Sequence, residues 1–182
     1  VVTYTTLMNG YLKAGKLDKA KDLLIRMRED KLQPNVVTYT TLMNSYLKEG
    51  KLDKAKDLLI QMRKDKLQPD VVTYNTLING YLKEGNLDEA KNLLIQMRED
   101  KLQPNVVTYT TLMNGYLKAG KLDKAKDLLI RMREDKLQPN VVTYTTLMNS
   151  YLKEGKLDKA KDLLIQMRKD KLQPDVVTYN TL

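Results

Sequence analysis

The chain has 182 residues, with no Cys, His, Trp or Phe, and carries a net charge of +9 from 32 basic and 23 acidic side chains. Without Cys or His it has no disulfide framework, no Cys/His zinc site, no thiol nucleophile and no catalytic imidazole. No apolar run approaches the ~20 residues that cross a bilayer. The basic excess favours an anionic partner. No targeting leader is legible, and the opening Val fits a piece of a longer chain.

The sequence repeats every 35 residues without a gap. The blocks are 1–35, 36–70, 71–105, 106–140 and 141–175, followed by a stub at 176–182 that starts a sixth. A fixed period of this length predicts a solenoid. The net charge of the blocks runs +3, +2, −1, +3, +2.

In the first block, Val1, Tyr4, Leu7, Met8 and Tyr11 follow the spacing of an amphipathic helix. Gly15 comes next, suited to a C′ position with positive φ. Leu17, Ala20, Leu23, Leu24 and Met27 mark one face of a second helix. Asp18 lies in its first turn and Lys31 near its last, both matching the helix dipole. Pro34 disfavours helix at Gln33 and ends the block, and Asn35 can cap the next first helix. The short connections predict an antiparallel hairpin. One hairpin cannot cover both its faces, so neighbours must stack. The Met and Tyr stripes read as core. Gly15-Lys16 lacks the spacing of a phosphate loop, and Asp18 and Asp22 read as solvated rather than as an acid/base pair.

A longer period lies over the first. Residues 1–77 and 106–182 are identical, so the unit is a triplet of 105 residues. Natural duplicates drift, so this identity implies an engineered or consensus-built array. Within the triplet ten positions vary. Most are charge swaps such as Lys19/Lys54/Glu89, which read as solvated surface. The fifth position (Thr5, Thr40, Asn75) and the last (Asn35, Asp70, Asn105) differ in kind. Val2, Thr5, Asn9 and Lys13 form a second stripe on the first helix, off the core face. Thr3, Thr5 and Thr6 are odd choices there, since Thr is a mediocre helix former.

V-V-T-Y-[TN]-T-L, then L-K-[AE]-G-[KN]-L-D-[KE]-A, then K-L-Q-P-[ND], together resemble the pentatricopeptide repeat over the whole chain. The tetratricopeptide repeat has a 34-residue period and a Trp signature, and neither is present. Tyr11 and Leu24-Ile25 stand where the family often has other apolar residues. The resemblance implies an all-α, right-handed superhelical solenoid that binds single-stranded RNA, one base per repeat. It implies base selection by Thr5 with Asn35, Thr40 with Asp70, Asn75 with Asn105, Thr110 with Asn140, and Thr145 with Asp175. It implies base clamping by Val2, Val37, Val72, Val107, Val142 and Val177. Phosphate contacts fall on Lys13, Lys48, Lys83, Lys118 and Lys153. The family's pairing rule then implies 5′-A-G-(C/U)-A-G-3′, with cytosine preferred at the third place. Asn180 in the stub stays unassigned. Asp accepts only, which suits guanine N1–H and N2–H₂, whereas an amide also donates, which suits adenine N1 or cytosine N3. No cofactor, metal, catalytic residue, membrane or small-molecule substrate is expected, and the truncated last repeat allows end-to-end stacking. Catalysis in the family resides in appended domains. The other reading is an RNA-free scaffold or a peptide-binding solenoid.

Overall fold

The structure is a computed structural model that describes residues 2–174, except the side chain of Val2. The described residues form ten α-helices and no strand. The first helices of the blocks are α1 (Val2–Lys13), α3 (Val36–Lys48), α5 (Val71–Lys83), α7 (Val106–Lys118) and α9 (Val141–Lys153). The second helices are α2 (Leu17–Glu29), α4 (Leu52–Lys64), α6 (Leu87–Glu99), α8 (Leu122–Glu134) and α10 (Leu157–Lys169). No described helix is long and apolar enough to cross a membrane. The helices group into two units, Val1–Gln103 and Pro104–Leu182.

Both helices of a block end in the same way. After α1, Gly15 takes φ 68°, its N–H bonds Leu12 C=O at 3.1 Å, and Lys16 N–H bonds Tyr11 C=O at 2.9 Å. This paired pattern satisfies carbonyls that the last turn would leave open. After α2 the left-handed residue is not glycine but Lys31, at φ 55°. Lys31 N–H bonds Arg28 C=O and Leu32 N–H bonds Met27 C=O, both at 2.9 Å. Lys31 therefore lies outside the helix rather than in its last turn. The chain has already turned when it reaches Pro34, which is buried.

In the first unit the hairpins α1–α2, α3–α4 and α5–α6 stack, with first helices side by side and α2 and α4 each touching the next first helix. In the second unit α7–α8 and α9–α10 repeat the arrangement. Tyr39, Leu42 and Met43 of α3 are fully buried, and Leu58, Leu59 and Met62 of α4, which packs against α3, are buried too. Each such side chain contributes about 1.5–3 kcal/mol of apolar burial. That burial depends on a preceding block: Leu7 is 51% exposed, whereas Leu42 and Leu77 are at most 1% exposed.

A polar ladder runs between blocks. Arg28 bonds Asp65 Oδ2 through Nη2 at 2.9 Å and through Nε at 3.1 Å. It also donates to the Tyr39 hydroxyl, which donates to Asp65 at 2.5 Å. Arg63, Tyr74 and Asp100 repeat the triad, as do Arg133, Tyr144 and Asp170. The Tyr stripe is thus core along its ring and ion-pair partner at its tip. Tyr46 lacks such a tip contact: its buried hydroxyl has no hydrogen-bond partner among the described residues. Some of the charge swaps are also engaged. Lys56 pairs with Glu89 at 3.1 Å, and Lys54 sits over the Tyr46 ring.

The tenth position decides how closely first helices approach. At Gly80 a Cβ would lie 2.6 Å from Leu47 Cδ2 and 2.8 Å from its Cγ, so Leu47 seats directly on the glycine. Leu47 is 6% exposed, whereas Leu12, its counterpart one block earlier, is only half-buried and faces a helix carrying Ser45. Each serine hydroxyl turns back to its own helix, Ser45 to Thr41 C=O and Ser150 to Thr146 C=O, both at 3.0 Å.

Candidate functional site

The stripe predicted off the core face is present on the described first helices. Val37, Val72, Val107 and Val142 are 61%, 62%, 58% and 60% exposed. These helices bury their tyrosines, so the valines lie off the core face; the second helices likewise leave Ile60, Ile95, Ile130 and Ile165 about half exposed at a fixed register. The fifth-position residues are half-buried, apart from Thr145, which is buried. The Thr40 and Thr110 hydroxyls donate to Val36 and Val106 C=O at 2.8 Å, one turn back.

The last position of each block begins the next helix. Asn35, Asp70, Asn105 and Asn140 are all exposed N-caps in extended backbone. In each, Oδ1 accepts the backbone N–H three residues on, from Thr38 at 2.9 Å, Thr73 at 2.7 Å, Thr108 at 3.0 Å and Thr143 at 2.9 Å. The hydroxyls of the same threonines donate to the same oxygens at 2.8–3.0 Å. These third-position threonines are at most 1% exposed. Thr3, their counterpart in the first block, is exposed. The signal that could have found them is the [ND]-x-x-T spacing across the block junction, which puts a hydroxyl at N3 opposite the cap.

In the second block the two varying positions are joined. Thr40 Oγ1 lies 3.0 Å from Thr73 Oγ1, which donates to Asp70 Oδ1 at 2.8 Å. The fifth and last residues of this block thus meet through one buried threonine of the next. Asp175, Val177 and the side chain of Val2 lie outside the described residues, and Asn75 and Asn105 belong to different units.

Lys13, Lys48, Lys83, Lys118 and Lys153 are exposed at the ends of the first helices. Among the described residues none of them enters an ion pair. Lys13 and Lys48 line a groove of about 330 Å³ in the first unit, together with Asn9, Asn44 and Ser45. Lys118 and Lys153 line its counterpart of about 320 Å³ in the second, with Asn114 and Ser150. Each groove also holds one carboxylate, Glu49 in the first and Glu154 in the second, so two cations stand there with one acid and neutral polar groups.

In each unit, stacked helical hairpins with an exposed valine and an exposed lysine on the first helix define an α-helical repeat protein. The profile of the PPR repeat family matches residues 1–46, 34–80, 69–116, 104–150 and 139–182, so the chain belongs to that family. No curated protein sequence matches it. The crystal structure of the pentatricopeptide repeat protein PPR10 from maize superposes with a TM-score of 0.88 at 28% identity, over 98% of this chain and 26% of PPR10. PPR10 in complex with an 18-nucleotide psaJ RNA element superposes at 0.75 with 29% identity, over 99% and 26%. The PPR domain of Arabidopsis thaliana protein-only RNase P 1 in complex with tRNA gives 0.75 at 21% identity, over 96% of this chain and 92% of that domain, a likeness of fold. The chain spans about a quarter of PPR10.

Proposed function

We propose that this array binds single-stranded RNA sequence-specifically, one base per repeat, and performs no chemistry on it. One observation carries the reading: the fifth and last positions, polar residues that vary along the triplet, lie near an exposed valine in sequence, and in the second block they are joined by hydrogen bonds. PPR10, which aligns over nearly the whole chain, has been crystallised with RNA. In this reading each base slots between valines of successive repeats. The last-position and fifth-position side chains read its edge, and the lysines hold phosphates. The predicted target is 5′-A-G-(C/U)-A-G-3′, with its 5′ end at the amino terminus. We read the array as engineered, because residues 1–77 and 106–182 are identical, and as able to stack end to end with a second copy.

The test is competition binding at fixed salt between 5′-A-G-C-A-G-3′ and 5′-A-A-C-A-G-3′, with the parent and with Asp70→Asn. The substitution gives the second block the pair found in the first. Asn caps a helix as well as Asp does, so stability should move by only a few tenths of a kcal/mol. Preference should switch toward the second RNA by roughly five- to a hundredfold, since a good polar base contact discriminates by about 1–3 kcal/mol. An unchanged ranking would leave Asp70 as a cap and nothing more. Equal weak binding to every RNA would favour a scaffold.

A further inference from the structure

The last-position residue is asked to do two things, cap a helix and read a base, and the geometry divides its atoms between them. A backbone N–H can only donate, so the atom facing Thr38, Thr73, Thr108 or Thr143 N–H must be an oxygen, in Asn and Asp alike. The buried hydroxyl of the same threonine gives that oxygen a second donor. With two donors converging on Oδ1 from a dry site, the side chain is held at both its torsions. Its other terminal atom is left for the exposed side: Nδ2, a donor, in Asn35 and Asn140, and Oδ2, an acceptor, in Asp70. Exchanging Asn for Asp then replaces a donor by an acceptor in the same place, with the cap unchanged.

We propose that Thr38, Thr73, Thr108 and Thr143 are positioning residues for base selection. Their hydroxyls fix the outward atom of the preceding Asn or Asp, so that donor or acceptor character becomes a base preference. The inference rests on the reading of the last position as base-selecting. It extends to the fifth position in the second block. There the Thr73 proton is committed to Asp70, because a carboxylate accepts only, so any bond between Thr40 and Thr73 has Thr40 as its donor. The Thr40 hydroxyl has one proton for two acceptors, Val36 C=O at 2.8 Å and Thr73 Oγ1 at 3.0 Å. Thr73 is therefore the piece through which the two reading positions of one repeat sense each other.

Thr73→Val removes the hydroxyl while keeping shape and leaving the backbone N–H in the cap. Thr73→Ser keeps the hydroxyl and removes only a methyl. The same two RNAs are competed against the parent and each variant, with the salt dependence and the melting midpoint measured alongside. The valine variant should lose about fivefold in its guanine-over-adenine ratio, the lower end of what one polar base contact supplies. Its salt slope should be unchanged, and the serine variant should restore the ratio. Thr73→Ala, which needs no room for a second methyl, serves in the same role should the valine variant melt early. A ratio that survives loss of the hydroxyl while the midpoint falls would make Thr73 a structural residue only and overturn the proposal, as would equal loss in the serine variant. A parent with no guanine preference would remove the selecting role of Asp70, and the positioning role with it.

Discussion

Tyr39→Phe and Tyr46→Phe delete the same atom from the same helix, α3, and should have opposite consequences. The Tyr39 hydroxyl accepts from Arg28 and donates to Asp65 at 2.5 Å. Hydrogen bonds to charged groups are worth about 1.5–3 kcal/mol. Here the lower end applies, because the Arg28–Asp65 pair persists at 2.9 Å and its side chains are 35% and 24% exposed, open to replacement water. A loss of about 2 kcal/mol corresponds to roughly 4–8 °C in the melting midpoint of an array this size. The Tyr46 hydroxyl is buried without a partner, so its removal relieves an unpaired polar group and should leave stability unchanged or raise it by up to about 1 kcal/mol. Urea and thermal unfolding of the two variants beside the parent measure the contrast. Equal losses, or a larger loss for Tyr46→Phe, would refute the claim that the ladder rather than the ring separates these tyrosines.

Three further outcomes are expected. If five lysines neutralise five phosphates on a single strand, the log–log salt slope should be roughly −3.5, and Lys83→Ala should flatten it by about 0.7 without changing base preference; a slope near zero would count against the interface. Lys66 sits at φ 58°, where a Cβ costs on the order of 1 kcal/mol. Lys66→Gly should therefore raise the melting midpoint, part of the gain being offset by glycine's freedom in the unfolded chain, and a lowered midpoint would show that the lysine side chain contributes more than the strain costs. Stability should also fall at both pH extremes. Burial first, then the bond to Asp170, raises Tyr144 above its ordinary 10.0, so its contribution is complete below pH 10.0 and is lost as pH rises beyond. Burial pushes Asp170 up, but bonds from Tyr144 and Arg133 outweigh it and hold it below 3.8; that contribution is present above pH 3.8 and is lost as pH falls through the depressed value. Urea midpoints from pH 2 to 11 check both limbs, and replacing Tyr39, Tyr74 and Tyr144 by Phe should flatten the alkaline one.

The hairpins were legible because both helices carry unbroken apolar stripes at helical spacing, and because Gly15 and Asn35 punctuate them with residues suited to a left-handed stop and a cap. The exposed valine was legible for the complementary reason, an apolar residue off the core stripe. The ladder was not. Arg28 and Asp65 are 37 residues apart and each resembles an ordinary surface charge, so only stacking reveals them as partners. The turn at Lys31 was invisible because a lysine advertises no positive φ; the pattern of carbonyls it closes is a property of the backbone. The role of Thr38 was not legible, since residue type alone does not tell a back-bonded surface threonine from a buried one that holds a cap.

Gly80 has a consequence for anyone treating such repeats as interchangeable letters. Leu47 of one block rests on the bare backbone of the next, whereas Ser45 and Ser150 each stand beside an open groove. The joint between two blocks is therefore written half in each, by the twelfth residue of one and the tenth of the other. Exchanging whole repeats also shuffles these joints, and with them how closely neighbouring first helices pack. Under the proposed code, changing only the fifth and last residues in place would leave these joints as they are.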